Sequence, residues 1–444
     1  MTQDERNESE FRAFLQIPSI TATAGEEQAA RWVESRLAAE GIASERVEAA
    51  PGRPNVLACL TAARESALPP LVLISHVDVV AAEEKRWSQP PFGAAVDGGR
   101  IFARGSLDTK QLTLMELEAF CALHRRGAPL ARTVWLIASI DEEAGSRFGM
   151  EAVKRARPEL FRQAVVWNEG GGFPLHSGGR DYMTLTMGEK ACCHIRVTAR
   201  GTAGHAAAPG REQAIVHLAA ALRQIFLHTD GLPAGSCGVA KAMRQALGTD
   251  APDNALAAQL LAYAQHGTAD MRRYRIGQRV NVLPAAAQAE LTLRLLPGAT
   301  AQQTEAWLAQ CLAGTQAEGE LLDFEPGFAA EPLSPEGMAL TAALRTACRE
   351  NGLACEVLPM LALGRTDGRF FGTEGSSVFG CSPLLPADAF DAILPKVHGD
   401  NESITQASFA FGCRVLDKLI SALACGELAG APAAAPHGGG KGTV

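Results

Sequence analysis

Residues 71–78 read LVLISHVD, an apolar run closed by His76 and, two positions on, Asp78. The run does not alternate with polar residues, which predicts a strand buried on both faces, as in a parallel sheet. Three more runs repeat the pattern. RIFA (100–103) leads to Asp108 in RGSLDTK, TVWLIASI (133–140) leads to Glu142 and Glu143 in DEEAGS, and AVVW (164–167) leads to Glu169 in NEGGG. Helix-like segments lie between them, including KQLTLMELEAFCALHRRG (110–127) and EAVKRARPELF (151–161). Such alternation predicts an α/β fold with a doubly wound, mostly parallel sheet. In sheets of this kind, ligands bind just beyond the carboxyl ends of the strands. The acids and the histidine sit at those ends and are expected to converge.

Working outward, residues 8–40 read as two helices, the second closed by a glycine. Near residue 190 the grammar changes. CHIRVTARG (193–201) alternates as a strand, and REQAIVHLAAALRQIFLH (211–228) is a long helix. RVNVLP (279–284) and AQAELTLRLLPG (287–298) are strands, TAQQTEAWLAQCLAG (300–314) is a helix, and ELLDFEP (320–326) is a strand. This order predicts an inserted α/β sandwich at 190–329 within a discontinuous domain at 1–189 and 330–425. The Ala/Gly-rich stretch 229–278 is weakly patterned and reads as helices and loops. After residue 330 the larger domain resumes, with His398 in a loop before the last helix, ITQASFAFGCRVLDKLISAL (404–423). Residues 426–444 are poor in large apolar groups and are expected to be disordered.

The 444 residues suit two or three domains, and 47% hydrophobic with 20% charged is ordinary for a globular enzyme. The formal charge, 41 − 49 = −8, argues against nucleic acid, which needs a basic footprint. No apolar run reaches the roughly 20 residues of a membrane span. The start, MTQDERNESEF, lacks a signal-peptide pattern, so a cytoplasmic location is expected. Eleven cysteines without a C-x-x-C pair read as buried reduced thiols, including Cys121, Cys192, Cys193, Cys311 and Cys413.

Each candidate also has an ordinary use. His76 and Asp78 share a strand face and could simply hydrogen-bond, Asp108 could cap a helix, and Glu169 or His398 could be loop residues. With the Glu142–Glu143 pair they make a donor set of two imidazoles, His76 and His398, and three carboxylates, Asp108, Glu169 and one of Glu142 and Glu143. That set suits a pair of Zn²⁺ ions, with Mn²⁺ or Co²⁺ as possible substitutes. Asp108 can bridge two cations, as a single histidine nitrogen cannot. Glu142 and Glu143, neighbours on extended backbone, point in different directions, so one can bind metal while the other reaches a metal-bound water as a general base. In GTAGHAAAPG (201–210), His205 could donate to a developing oxyanion.

These motifs together resemble the M20 metallopeptidase family over nearly the whole chain. SHVDVV, the segment from Trp87 to Phe92, ARGSLDTK, DEEAGS, NEGGG, GHAAAP, NVLP, RLLPG and TDGRFF match in order. The resemblance implies a two-zinc catalytic domain and a lid domain through which a homodimer often forms. It implies that His76, Glu143, Glu169 and His398 are metal ligands with Asp108 bridging, that Asp78 supports the site, Glu142 acts as base and acid, and His205 stabilises the intermediate. Asn281 and Arg294 would meet the substrate, and the turn from Gly364 through Arg365 and Thr366 to Arg369 would bind it. RLLPG and TDGRFF look like the carboxypeptidase S and N-acyl-amino-acid hydrolase branch. Many relatives have a more glycine-rich turn, so Arg365 points toward an acidic group. The implied reaction is hydrolysis of an amide bond beside a free α-carboxylate, in an N-acyl amino acid or a short peptide. The alternatives are a dipeptidase or aminopeptidase on the same scaffold, or a silent binding protein.

Overall fold

The computed structural model describes residues 1–64, 66–127, 129–207, 212–235, 237–276 and 281–426. The expected tail lies outside these residues except for Gly426, whose left-handed backbone ends the helix Gln406–Cys425.

The strand Leu71–His76 lies in the middle of a ten-stranded sheet. It runs parallel to Val134–Ser139 on one side and Val165–Asn168 on the other, and Ser377–Gly380 continues the parallel set. Antiparallel strands flank this centre, among them Arg53–Leu60 and Arg180–Glu189. The unbroken apolar run follows from burial on both faces. Leu71 and Leu73 enter one core, which includes the helix Lys110–Arg126 and the final helix, and Val72 and Ile74 enter a second core with Met150, Phe161 and Phe371. The carboxyl ends of three of the parallel strands carry His76, the Glu142–Glu143 pair and Glu169.

The stretch RIFA departs from expectation. Arg100–Phe102 pairs with Ala95–Asp97 and Ser403–Thr405 in a separate three-stranded sheet. That small sheet brings the Asp108 turn next to the loop bearing His398.

Within the insertion, a four-stranded antiparallel sheet has the order Thr268–Arg275, Ala286–Leu295, Ala191–Arg200, Ala317–Glu325. Helices Ala214–Leu227 and Ala301–Leu312 cover one face, where Ile195, Leu293, Leu218 and Leu308 meet. The other face bears polar residues. RVNVLP does not supply one of the four strands. Its Val282–Leu283 forms a two-residue ladder with Gly204–His205. The fourth strand comes from the weakly patterned stretch, where Thr268–Arg275 is an exposed edge with no alternating apolar face. The helices Val239–Leu247 and Ala255–Gln265 pack against Glu356–Ala362, with Val239, Met243, Leu260 and Leu261 in the larger domain's core. In packing, that part of the insertion belongs to the larger domain. No described helix is long and apolar enough to cross a membrane.

Candidate metal centre

His76 is buried at the end of its strand. Its Nδ1 lies 2.9 Å from the carbonyl oxygen of Asp78, which orients the ring and turns Nε2 toward the strand ends. That Nε2 is 3.2 Å from Asp108 Oδ1 and 3.5 Å from Glu169 Oε2. His398 Nε2 lies 3.0 Å from Asp108 Oδ2 and 3.0 Å from Glu143 Oε2. Two three-residue clusters result, His76–Asp108–Glu169 and Asp108–Glu143–His398, and they share Asp108 through its two different oxygens.

The supporting contacts explain the placement. Asp78 accepts the backbone N–H groups of Glu142 and Glu143, at 3.2 and 3.4 Å, and the Thr21 hydroxyl at 2.8 Å. It thereby fastens the DEE turn to the His76 strand. The glycines after Glu169 permit a close approach. A Cβ on Gly380 would lie 1.8 Å from the Glu169 carbonyl oxygen, and one on Gly171 would lie 2.4 Å from that of Gly380.

Two further groups hold the site together, Glu402, which sequence reasoning passed over, and Asp367 with Arg369, which it placed only in the substrate-binding turn. Glu402 is fully buried. It accepts Arg104 Nη1 at 2.7 Å and the Leu107 N–H at 2.7 Å, while Arg104 Nη2 donates to the His398 carbonyl. This pair locks the Asp108 turn to the His398 loop. The Trp87 segment contributes to the same lock: Trp87 lies under Arg104, Ser88 donates to Asn401, and Arg86 pairs with Asp400. An acid four residues after a candidate ligand was the available signal. Asp367 and Arg369 are the second group. Asp367 accepts the Ser139 hydroxyl, and Arg369 donates to the Thr366 and Gly145 carbonyls and approaches Glu142 to 3.7 Å.

The charge balance is unusual. Burial and the neighbouring Glu169 raise Glu142 well above the usual carboxylate range, and burial also raises Glu169. Burial works against a charged His76, but Glu169, Asp108 and Asp78 outweigh it and hold its pKa well up. Asp108 and Glu143 push His398 up to about 10. A site that holds protons on its imidazoles in this way has an excess of negative charge. Divalent cations would satisfy that charge by displacing the protons, and the N/O donor set fits them.

The structure does not bring His205 or Asn281 into contact with the ligand cluster. They adjoin each other on the short ladder, exposed, with Ala206 N donating to the Asn281 carbonyl. His205 Nδ1 accepts the Ala207 N–H, so a neutral ring carries its proton on Nε2 and is free to donate there. Gly364 is exposed. Thr366 is buried, accepts Asn168 Nδ2 at 2.6 Å, and donates its hydroxyl to Glu189. Arg365 pairs with Glu325, and Arg294 lies on the open face of the inserted sheet.

Burial raises the Glu189 carboxyl to about 7. A raised acid favours folding fully below its unfolded pKa and loses that contribution as pH rises to its folded pKa. Glu189→Gln removes this loss. The variant's melting temperature relative to wild type is expected to be higher at pH 8 than at pH 5, by up to about 3 kcal/mol in stability. Paired thermal melts check this, and an equal difference at both pH values rejects the buried-acid account.

Residues 72–422 match the model of peptidase family M20/M25/M40. Aminoacylase-1A of Rattus norvegicus is 27% identical over 93% of this chain and 94% of its own. The human N-fatty-acyl-amino acid synthase/hydrolase PM20D1 is 24% identical over 80% of this chain and 74% of its own. The structure of an M20 family metallo-carboxypeptidase, Sso-CP2 from Sulfolobus solfataricus, superposes with a TM-score of 0.68 at 19% identity, covering 95% of this chain and 99% of that one. With most of its length matched in this way, the chain belongs to peptidase family M20/M25/M40.

Proposed function

We propose that this hydrolase is a dinuclear zinc enzyme cleaving the amide bond next to a free α-carboxylate, in an N-acyl amino acid or a short peptide. The observation that carries the reading is Asp108, whose two oxygens face His76 and His398 separately. His76, Asp108 and Glu169 would hold one cation, and Asp108, Glu143 and His398 the other. When bound, the pair would polarise the scissile carbonyl and lower the pKa of a shared water.

The chain's own residues supply the remainder. Glu142, buried beside the ligands and not among them, takes the proton from the attacking water and passes it to the leaving amine. Arg369, 3.7 Å away, keeps the Glu142 carboxylate oriented. Asp78 fixes the backbone on which Glu142 and Glu143 stand. His205 donates from Nε2 to the developing oxyanion. Asn281 and Arg294 bind the substrate from the lid. A homodimer through the lid is supported by the edge strand Thr268–Arg275, which leaves Met271 and Tyr274 exposed. Eleven free cysteines suit a reducing, cytoplasmic setting. The aminoacylase and N-fatty-acyl hydrolase relatives support the substrate class.

The test is mass-spectrometric product detection from the zinc-loaded protein and a pooled panel. The pool holds N-acetyl and long-chain N-acyl amino acids, dipeptides, and the carboxyl-amidated form of each. Cleavage confined to free-carboxylate members is expected. Cleavage of amidated members with a free amine would overturn the reading in favour of an aminopeptidase.

A further inference from the structure

The hinge between the two sheets gathers cations of which the proposed chemistry uses only Arg294. The catalytic strand Arg180–Glu189 passes into the lid strand Ala191–Arg200 through Lys190. Lys190 is buried. Its Nζ donates to the His266 carbonyl at 2.7 Å and sits 3.4 Å above the Tyr263 ring. Arg294, Cys192 and Glu325 stand directly opposite one another on three adjacent lid strands. Side chains paired in this way share a face, and this is the face the lid helices leave open. From the catalytic side, Arg365 reaches across to Glu325. The buried Tyr263 hydroxyl lies beside Arg294 without a hydrogen-bond partner of good geometry. Tyr263 and His266 come from the end of the inserted helix Ala255–Gln265, so the weakly patterned stretch supplies one wall.

The ion pairing is uneven. Among the described residues, Glu325 is the one carboxylate in ion-pair contact with Lys190, Arg294 or Arg365, and it meets Arg365 alone; Asp270 acts on Lys190, and Glu189 and Glu142 on Arg365, at longer range, and the Glu325 side chain is 52% exposed against 32% for Arg365. Burial and Arg294 push Lys190 down to about 8, and burial and Arg369 lower Arg365, as expected where cations crowd together. An α-carboxylate on Arg294 would account for one cation only.

We propose that Arg365, with Lys190 and Arg294 beside it, forms a hinge pocket that selects substrates carrying a second carboxylate. That group would lie on a dicarboxylic acyl chain or on an acidic amino-acid side chain. The proposal rests on the free-carboxylate reading above. Glu325 marks the place where the group sits. An acidic substrate exchanges one carboxylate for another on Arg365, whereas a neutral substrate separates the pair and returns nothing. Discrimination therefore comes from rejecting neutral substrates as well as from binding acidic ones.

The experiment measures kcat/KM of the metal-loaded enzyme on N-acetylglutamate and N-succinylalanine, each against its monoamide, N-acetylglutamine and N-succinamoylalanine. A preference of about tenfold or more for the acid of at least one pair is expected, carried by KM. The better pair identifies the side that bears the acid. In Arg365→Gln that ratio, read within the variant, should fall close to one. Arg365→Lys should restore part of it. Calorimetry with glutarate and its monoamide gives a readout independent of turnover, with the glutarate advantage lost in Arg365→Gln. Equal kcat/KM for acid and amide in both pairs, or ratios unchanged by Arg365→Gln, would overturn the pocket. If no free-carboxylate substrate is cleaved but the glutarate advantage still depends on Arg365, the pocket stands and the proposed reaction falls.

Discussion

Glu142→Gln is expected to lower kcat by about 10³-fold or more, while metal content and melting temperature stay near the wild-type values. The side chain belongs to neither ligand cluster. It is nevertheless nearly buried, within 3.7 Å of Arg369 and raised by burial and by Glu169. A carboxyl with a high proton affinity in a water-poor site can accept a proton from an activated water and release it to an amine of similar affinity. Glutamine keeps the volume and the contact with Arg369 but cannot take the proton. Substrate KM should therefore change little, because the loss falls on the chemical step. Steady-state kinetics with metal analysis of the same sample checks both halves. A variant that retains more than a tenth of wild-type kcat would remove Glu142 as the base, and one that loses metal would make it a ligand.

The parts of this site that were legible are those written in short contiguous patterns. LVLISHVD shows both its burial on two faces and its donor, because strand period and chemistry lie in the same eight residues. Glu169 and His398 lie in turns of the same kind, while the choice of Glu143 over Glu142 came from the family resemblance; the structure groups all three around Asp108 and His76. The groups that were not legible act across long separations. Glu402 lies far from Arg104 in sequence and meets it only because the small sheet of Arg100–Phe102 and Ser403–Thr405 brings the two loops together. Asp367 reaches Ser139 in the same way. Thr366 was placed at the substrate by the family resemblance of its turn, yet it is buried on Glu189 and Asn168. The edge strand Thr268–Arg275 was missed for a different reason. It buries neither face, so it carries no hydrophobic period to read.

Asp108→Ala should cost both cations at once. Each cluster has three donors, and Asp108 is the one they share. Without it, His76 keeps only Glu169, and His398 keeps only Glu143. Two donors do not make a lasting zinc site, since catalytic sites use three protein ligands. Glu169→Ala and His398→Ala each damage one cluster and leave the other with three. Metal analysis after gel filtration should therefore find about two zinc ions per wild-type chain, about one in either single-cluster variant, and almost none in Asp108→Ala. Stability should follow the same order. A ligand held only by the folded chain adds about 2.7 kcal/mol at a hundredfold excess over its Kd, so adding zinc should raise the melting temperature of wild type most and that of Asp108→Ala least. Acid should weaken binding in wild type, because protons compete for His76 and His398, the same imidazoles the cations need. Wild-type zinc content in Asp108→Ala would show that the two clusters do not share a bridging carboxylate. Loss of a single ion would assign Asp108 to one cluster alone.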